Sequence, residues 1–130
     1  MKNKLAREWL DRGKQDLEVA QILFSKKNYF GVVLFHIHQA VEKYLKGFLI
    51  YHGWKLKKIH DIELLLTEAV NYDKFFNNYL NIGRRLTAFY FEDRYPPGPI
   101  LSYTKEEVNE IIDKGNEIIN KIENLLKDLY

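Results

Sequence analysis

Residues 29–52 read YFGVVLFHIHQAVEKYLKGFLIYH, and this stretch decides the fold class. Its apolar side chains Val33, Phe35, Ile37, Ala40, Val41, Tyr44, Leu45, Phe48 and Leu49 recur at the three- and four-residue spacings of an α-helix. They also cover most of the circumference. A helix that is greasy nearly all round has to pack on several neighbours at once, so it belongs at the centre of its domain. Gly53 then ends it.

Working outward, Leu5, Trp9, Leu10, Leu17, Ala20, Leu23 and Phe24 form the inward stripe of a helix predicted over 5–24, with Ser25–Asn28 as the break. Downstream of Gly53, residues 54–60 read as a short basic loop. Asp61 can cap a short third helix reaching about Val70, because its carboxylate accepts the free N–H groups of the first turn. A fourth helix is predicted from about Asp73 to Phe91, with Phe75, Phe76, Tyr79, Ile82, Gly83, Leu86 and Tyr90 inward. Three prolines between Pro96 and Pro99 forbid a helix there. Thr104 and Glu107 match a capping box for the last helix, whose apolar run from Val108 to Leu129 repeats at close to 3.5 residues. The expectation is one domain over residues 1–130: an all-α, antiparallel up-and-down four-helix-type bundle with one extra short helix.

Composition sets the outer limits. A chain of 130 residues fits one domain, and 46% hydrophobic with 15% aromatic residues supplies an ample core. There is no cysteine, which removes disulfides, thiol nucleophiles and thiolate metal sites together. No stretch approaches the roughly 18 uncharged residues of a spanning helix, and the N-terminus lacks the apolar segment of a signal peptide, so no membrane association and a cytoplasmic location are expected. Twenty basic against 18 acidic residues give a net charge of +2, too balanced to argue for nucleic acid by itself.

Familiar catalytic signatures are missing: no glycine-rich phosphate loop, nucleophile elbow or HExxH. His36 and His38 are two apart on a helix and cannot share an ion, and His38 with Glu42 supplies only two ligands, so no metal and no cofactor is expected. The polar line His36, Gln39, Lys43 and Lys46 crosses the greasy central helix, and it reads first as a solvated stripe assisted by a Glu42–Lys46 pair. Asp16 falls on the inward stripe of the first helix, and a half-buried carboxylate requires a partner such as Lys43 or an arginine of the fourth helix. Arg84, Arg85 and Arg94, with Tyr90 and Tyr95, could hold phosphate and stack on bases, unless the arginines pair with acids such as Glu92 and Asp93. Residues 54–58, Trp-Lys-Leu-Lys-Lys, make a second, short basic-aromatic patch.

Together these residues resemble the HEPN family. Trp9, Asp16-Leu17 and Ala20 are similar to its opening W…DL..A. The run from Gln39 to Lys46, QAVEKYLK, resembles the Q-A-[AV]-E-K-x-L-K of its central helix. Gly53 with His60-Asp61-Ile62 resembles the glycine and H-D-[LI] of its next element, and Arg94-Tyr95-Pro96 the R-Y-P that closes its fourth helix. The motif's polar positions in this chain are thus Asp16, Gln39, Glu42, Lys43, Lys46, His60 and Asp61. The resemblance implies a helical bundle, usually a homodimer, often paired with a minimal nucleotidyltransferase as a toxin–antitoxin module, and linked to nucleotide or RNA.

Many HEPN proteins are metal-independent ribonucleases carrying R-x4-6-H late in the domain. Here every histidine precedes Arg84, and Tyr90 is a poor base at neutral pH. The resemblance therefore implies a non-catalytic module that binds a nucleotide or a nucleotidyltransferase partner, with Lys43, Arg84, Arg94 and Tyr95 as expected contacts and no catalytic residue. An atypical ribonuclease toxin and a purely structural dimer seamed by the last helix are the alternatives.

Overall fold

The computed structural model describes residues 2–92 and 103–129, with the backbone alone for residues 2 and 89–92. It holds five α-helices: α1 (Lys2–Lys26), α2 (Phe30–Tyr51), α3 (Ile62–Val70), α4 (Leu80–Glu92) and α5 (Lys105–Leu125). No strand occurs among the described residues. The expected antiparallel bundle with one short extra helix is what forms. As anticipated, α2 is its axis, with fourteen buried residues and neighbours in α1, α3, α4 and α5.

The caps match their sequence signals. Asp61 accepts from the N–H of Leu64 at 3.2 Å and opens α3. Thr104 and Glu107 close a reciprocal capping box at the start of α5. Gly53 adopts φ +95°, the left-handed conformation that ends a helix at no steric cost to glycine.

The seam between α1 and α2 departs from the expected stripe. Leu5 is 42% exposed, whereas Ala6, Leu10, Gly13 and Ala20 are buried. Ala6 and Gly13, seven residues apart, meet Gly47 and Ala40 of the antiparallel α2, which are seven apart in turn. A methyl group on Gly13 would stand 2.7 Å from the Tyr44 ring, and one on Gly47 would stand 3.0 Å from the Ala6 carbonyl oxygen. Small residues bring these two backbones together, and the large side chains Leu10 and Tyr44 fill the spaces between.

The fourth helix is also shorter than its apolar pattern. Asp73, capping the N–H of Phe75 at 2.9 Å, starts a 3-10 segment over Lys74–Tyr79, and α4 begins only at Leu80. A 3-10 turn stacks residues three apart, and this lets Phe76 and Tyr79 be buried together. Phe76 packs on Phe48 of α2 with ring centroids 5.1 Å apart. The last helix likewise ends at Leu125 and continues as a 3-10 turn, Lys127–Leu129.

Candidate functional site

Two polar clusters interrupt the apolar packing around α2, and between them they account for most of the charged motif residues. The first joins α1 to α2. Asp16 accepts from Lys43 Nζ at 2.5 Å through one oxygen and lies 3.0 Å from His36 Nδ1 through the other. All three side chains keep a quarter of their surface or less. The expected need of Asp16 for a partner is met by Lys43 and His36 together.

The second cluster is deeper and ties the loop after α2 back onto that helix. Glu42 and Lys46 are buried, and Lys46 Nζ donates to Glu42 Oε2 at 2.8 Å. The ammonium also lies 5.5 Å from the centre of the Trp9 ring, a cation–π contact that adds α1 to the group. His60 Nδ1 donates to both Glu42 oxygens at 3.1 Å, while its ring keeps 47% of its surface exposed.

Behind it, His38 is fully buried and its Nε2 donates to the His60 carbonyl oxygen at 2.8 Å. A carbonyl only accepts, so this bond fixes the His38 tautomer. Burial, only partly offset by Glu42 and the carbonyl, pushes the His38 imidazole down to about 4, and it stays neutral.

These contacts correct the reading of His36, Gln39, Lys43 and Lys46 as a solvated stripe. His36, Gln39 and Lys43 are half-buried, and Lys46 is buried beneath Trp9. The reason is the Glu42 carboxylate, which cannot enter the interior without a cation beside it.

Arg84 and Arg85 pair with acids, as the alternative reading of the arginines expected. Arg84 donates to Glu63 of α3 at 2.5 Å with 68% of its side chain exposed, and Arg85 reaches Glu110 of α5 at 3.4 Å. Thr87, one turn after Arg84, accepts from the Ile62 N–H at 2.9 Å and so fixes α4 against the start of α3. The structure brings together Asp16 with Lys43, and Glu42 with Lys46 and His60. It sets Lys43 and Arg84 on different acids. Asp61 serves as a helix cap. Arg94 and Tyr95 lie outside the described residues, as do Asp93 and the proline segment; the side chains of Tyr90 and Glu92 are not described.

Chemically, the second cluster contains one arrangement able to move a proton: a half-exposed imidazole, His60, oriented by a buried carboxylate, Glu42. No group of three or more His, Asp or Glu side chains among the described residues could hold a metal ion. No described helix is long and apolar enough to cross a membrane. The role of His36 and the depth of His38 had no separate signal in the sequence beyond their place on a greasy helix.

Comparison with known proteins agrees with this architecture. A protein of Methanocaldococcus jannaschii, MJ1304, provisionally named a toxin, is 26% identical over 141 residues, covering 98% of this chain and 91% of its own. The crystal structure of TT1696 from Thermus thermophilus superposes with a TM-score of 0.76 at 27% identity, over 92% of this chain and 96% of that one. ST0689, described as an archaeal HEPN homologue, superposes with a TM-score of 0.73 at the same identity and coverage. The HEPN domain profile matches residues 6–125. The chain therefore belongs to the HEPN domain family.

Proposed function

We propose that this chain is the HEPN member of a toxin–antitoxin-type module and acts by binding, with a nucleotide or a minimal nucleotidyltransferase protein as its partner, rather than by cutting RNA. The observation that carries this reading is the internal use of the motif's charges. Lys43 is held by Asp16, and Lys46 and His60 are held by Glu42. This supports a framework role for the motif run, joining α1, α2 and the segment that leads into α3. No histidine follows Arg84 or Arg85 in the chain. The toxin context is supported by the similarity to MJ1304.

Of the expected phosphate contacts, Arg84 is the one on the described surface with most of its side chain open to solvent. Thermal unfolding in the presence of nucleotides and short RNAs tests the binding. A ligand at about 100 times its dissociation constant adds roughly 2.7 kcal/mol of stability, a midpoint shift of several degrees. Co-purification with a nucleotidyltransferase tests the partner. Absence of both would remove the proposal.

One observation favours a second reading. The Glu42–His60 pair has the geometry of an oriented general base, so an atypical ribonuclease would use His60. RNA cleavage lost in His60→Asn, with helicity unchanged by circular dichroism, would establish it. Cleavage untouched by that change would discard it.

A further inference from the structure

The basic-aromatic segment 54–58 is not absorbed by either cluster, and the structure gives it a neighbour. The segment is tied at both ends: the Trp54 N–H bonds to the Leu49 carbonyl at 2.9 Å, and His60 is fixed by His38 and Glu42. Held in this way, the loop presents Leu56, half exposed, across from Leu5 and Trp9 of α1. Between them is a half-open slot of about 170 Å³, completed by Glu8 and Arg12. A dry cavity of roughly 150 Å³ accepts one benzene ring, so this slot has room for a single flat ring.

The loop that carries Leu56 is rich in positive charge. Lys55, Lys57 and Lys58 are exposed on the loop, and neither they nor Arg12 enters an ion pair among the described residues. One cation, Arg12, thus lines the recess beside Glu8, and three more flank Leu56 along the loop that forms its other wall. Aromatic and aliphatic walls suit the face of a base, and unpaired cations suit its phosphate. The single acid in the wall is Glu8. It favours a base bearing an amino group, because a carboxylate accepts from an exocyclic N–H.

We infer that the slot between α1 and the 54–60 segment binds an amino-bearing nucleobase, stacked between Trp9, Leu5 and Leu56, with its phosphate on Arg12 and the loop lysines. This rests on the reading of the chain as a nucleotide-linked module and gives that module a location distinct from Arg84. The base arrives either as a free nucleotide or as an unpaired residue of single-stranded RNA.

The test follows the two indole N–H resonances, Trp9 and Trp54, by NMR during titration of the full chain. The probes are CMP, AMP, UMP, inorganic phosphate and short oligocytidine and oligouridine RNAs. CMP is expected to shift the Trp9 signal and to bind more tightly than AMP, UMP or phosphate, with affinity falling as salt rises. Binding by the mononucleotides identifies a free nucleotide, and binding only by oligocytidine identifies RNA.

A variant carrying Lys55→Gln, Lys57→Gln and Lys58→Gln changes only exposed side chains. It should lose about tenfold in affinity and lower the salt slope by about one for each phosphate contact removed. Leu56→Asp should abolish binding, and Glu8→Gln should erase the preference over UMP.

If nucleotide binds but these variants leave it unchanged while Arg84→Ala abolishes it, the slot is not the site and the proposed function stands. If folded protein binds no nucleotide or RNA at millimolar concentration, the slot inference falls; the proposed function survives only through its nucleotidyltransferase arm. An acidic peptide that shifts the Trp9 signal where nucleotides do not would make the slot a protein-docking surface and overturn the inference.

Discussion

Lys46 Nζ lies 2.8 Å from Glu42 Oε2 at a depth where each side chain retains only 4% of its surface. Two charges four residues apart on one helix ordinarily form a weak surface pair. Here His60 supplies a second donor to the carboxylate and Trp9 covers the ammonium, so the charges are buried together with their partners. Removing one member strands the other. Glu42→Ala should cost about 3–5 kcal/mol, as expected for an orphaned buried charge. Denaturant unfolding measures it, and a loss below about 1 kcal/mol, the level of a surface pair, would show that Lys46 escapes to solvent.

The same burial sets an acid limit on stability. His38 sits at about 4 in the fold against 6.5 when exposed, because burial outweighs the attraction of Glu42; His60 and Lys46 add to the lowering. The unfolded chain therefore binds more protons between those values, and stability declines as pH falls from about 6.5 to 4. The loss reaches about 3 kcal/mol at most, by the free energy of a shift of this size. His38→Gln should flatten this part of the stability profile relative to the unchanged chain. An identical acid slope in both would refute the assignment.

Tyr79 works in the opposite direction. Its hydroxyl donates to Glu117 at 2.6 Å, and burial, followed by that carboxylate, pushes the phenol up to about 12. A raised value means that the folded state keeps its proton longer, so this contribution is present below about pH 10 and fades between about 10 and 12. Tyr79→Phe should lower stability by about 1.5–3 kcal/mol at neutral pH, the range for a hydrogen bond to a charged group, and remove that alkaline decline. Paired denaturation curves at neutral pH and in the alkaline range decide the point.

Gly13 and Gly47 should resist even a methyl group. Alanine ordinarily improves a helix interior by about 1 kcal/mol over glycine. At Gly13 the added carbon would meet the buried Tyr44 ring at 2.7 Å, and overpacking of this kind costs about 1–3 kcal/mol. Gly13→Ala is therefore expected to lower the thermal midpoint. A rise would mean that α1 shifts along α2 without loss.

Legibility in the sequence follows distance along the chain. The Asp61 cap and the Thr104–Glu107 box act across three residues, and both stand where their signatures put them. The axial position of α2 is evident because its own circumference is apolar. Partners separated by 18 to 27 residues, such as Glu42 with His60, Arg84 with Glu63 or Asp16 with Lys43, depend on how helices meet. Of these, Asp16 alone leaves a trace, since a carboxylate on an apolar stripe demands a cation. The small-residue seam is hidden for a different reason. Alanine and glycine carry almost no hydrophobic signal, so periodicity puts the larger Leu5 on the stripe that Ala6 occupies.

Lys43 offers the sharpest separation of framework from site. The sequence points to it as a contact for a nucleotide phosphate, yet its ammonium is held by Asp16 within a half-buried group that also contains His36. If the framework role dominates, Lys43→Met should lower stability by about 1.5–3 kcal/mol, the range for a hydrogen bond to a charged group, because Asp16 is left with His36 alone. The nucleotide-induced midpoint shift should then persist in that variant. Asp16→Asn should weaken the fold similarly, and it should not tighten nucleotide binding. The opposite pattern, with stability retained, the nucleotide shift abolished by Lys43→Met and affinity raised by Asp16→Asn, would make Asp16 a resting partner that gives up the lysine to phosphate. Thermal unfolding of the unchanged chain and the two variants, each with and without nucleotide, distinguishes these cases, since a framework lysine and a ligand-binding lysine change different differences between the same six curves.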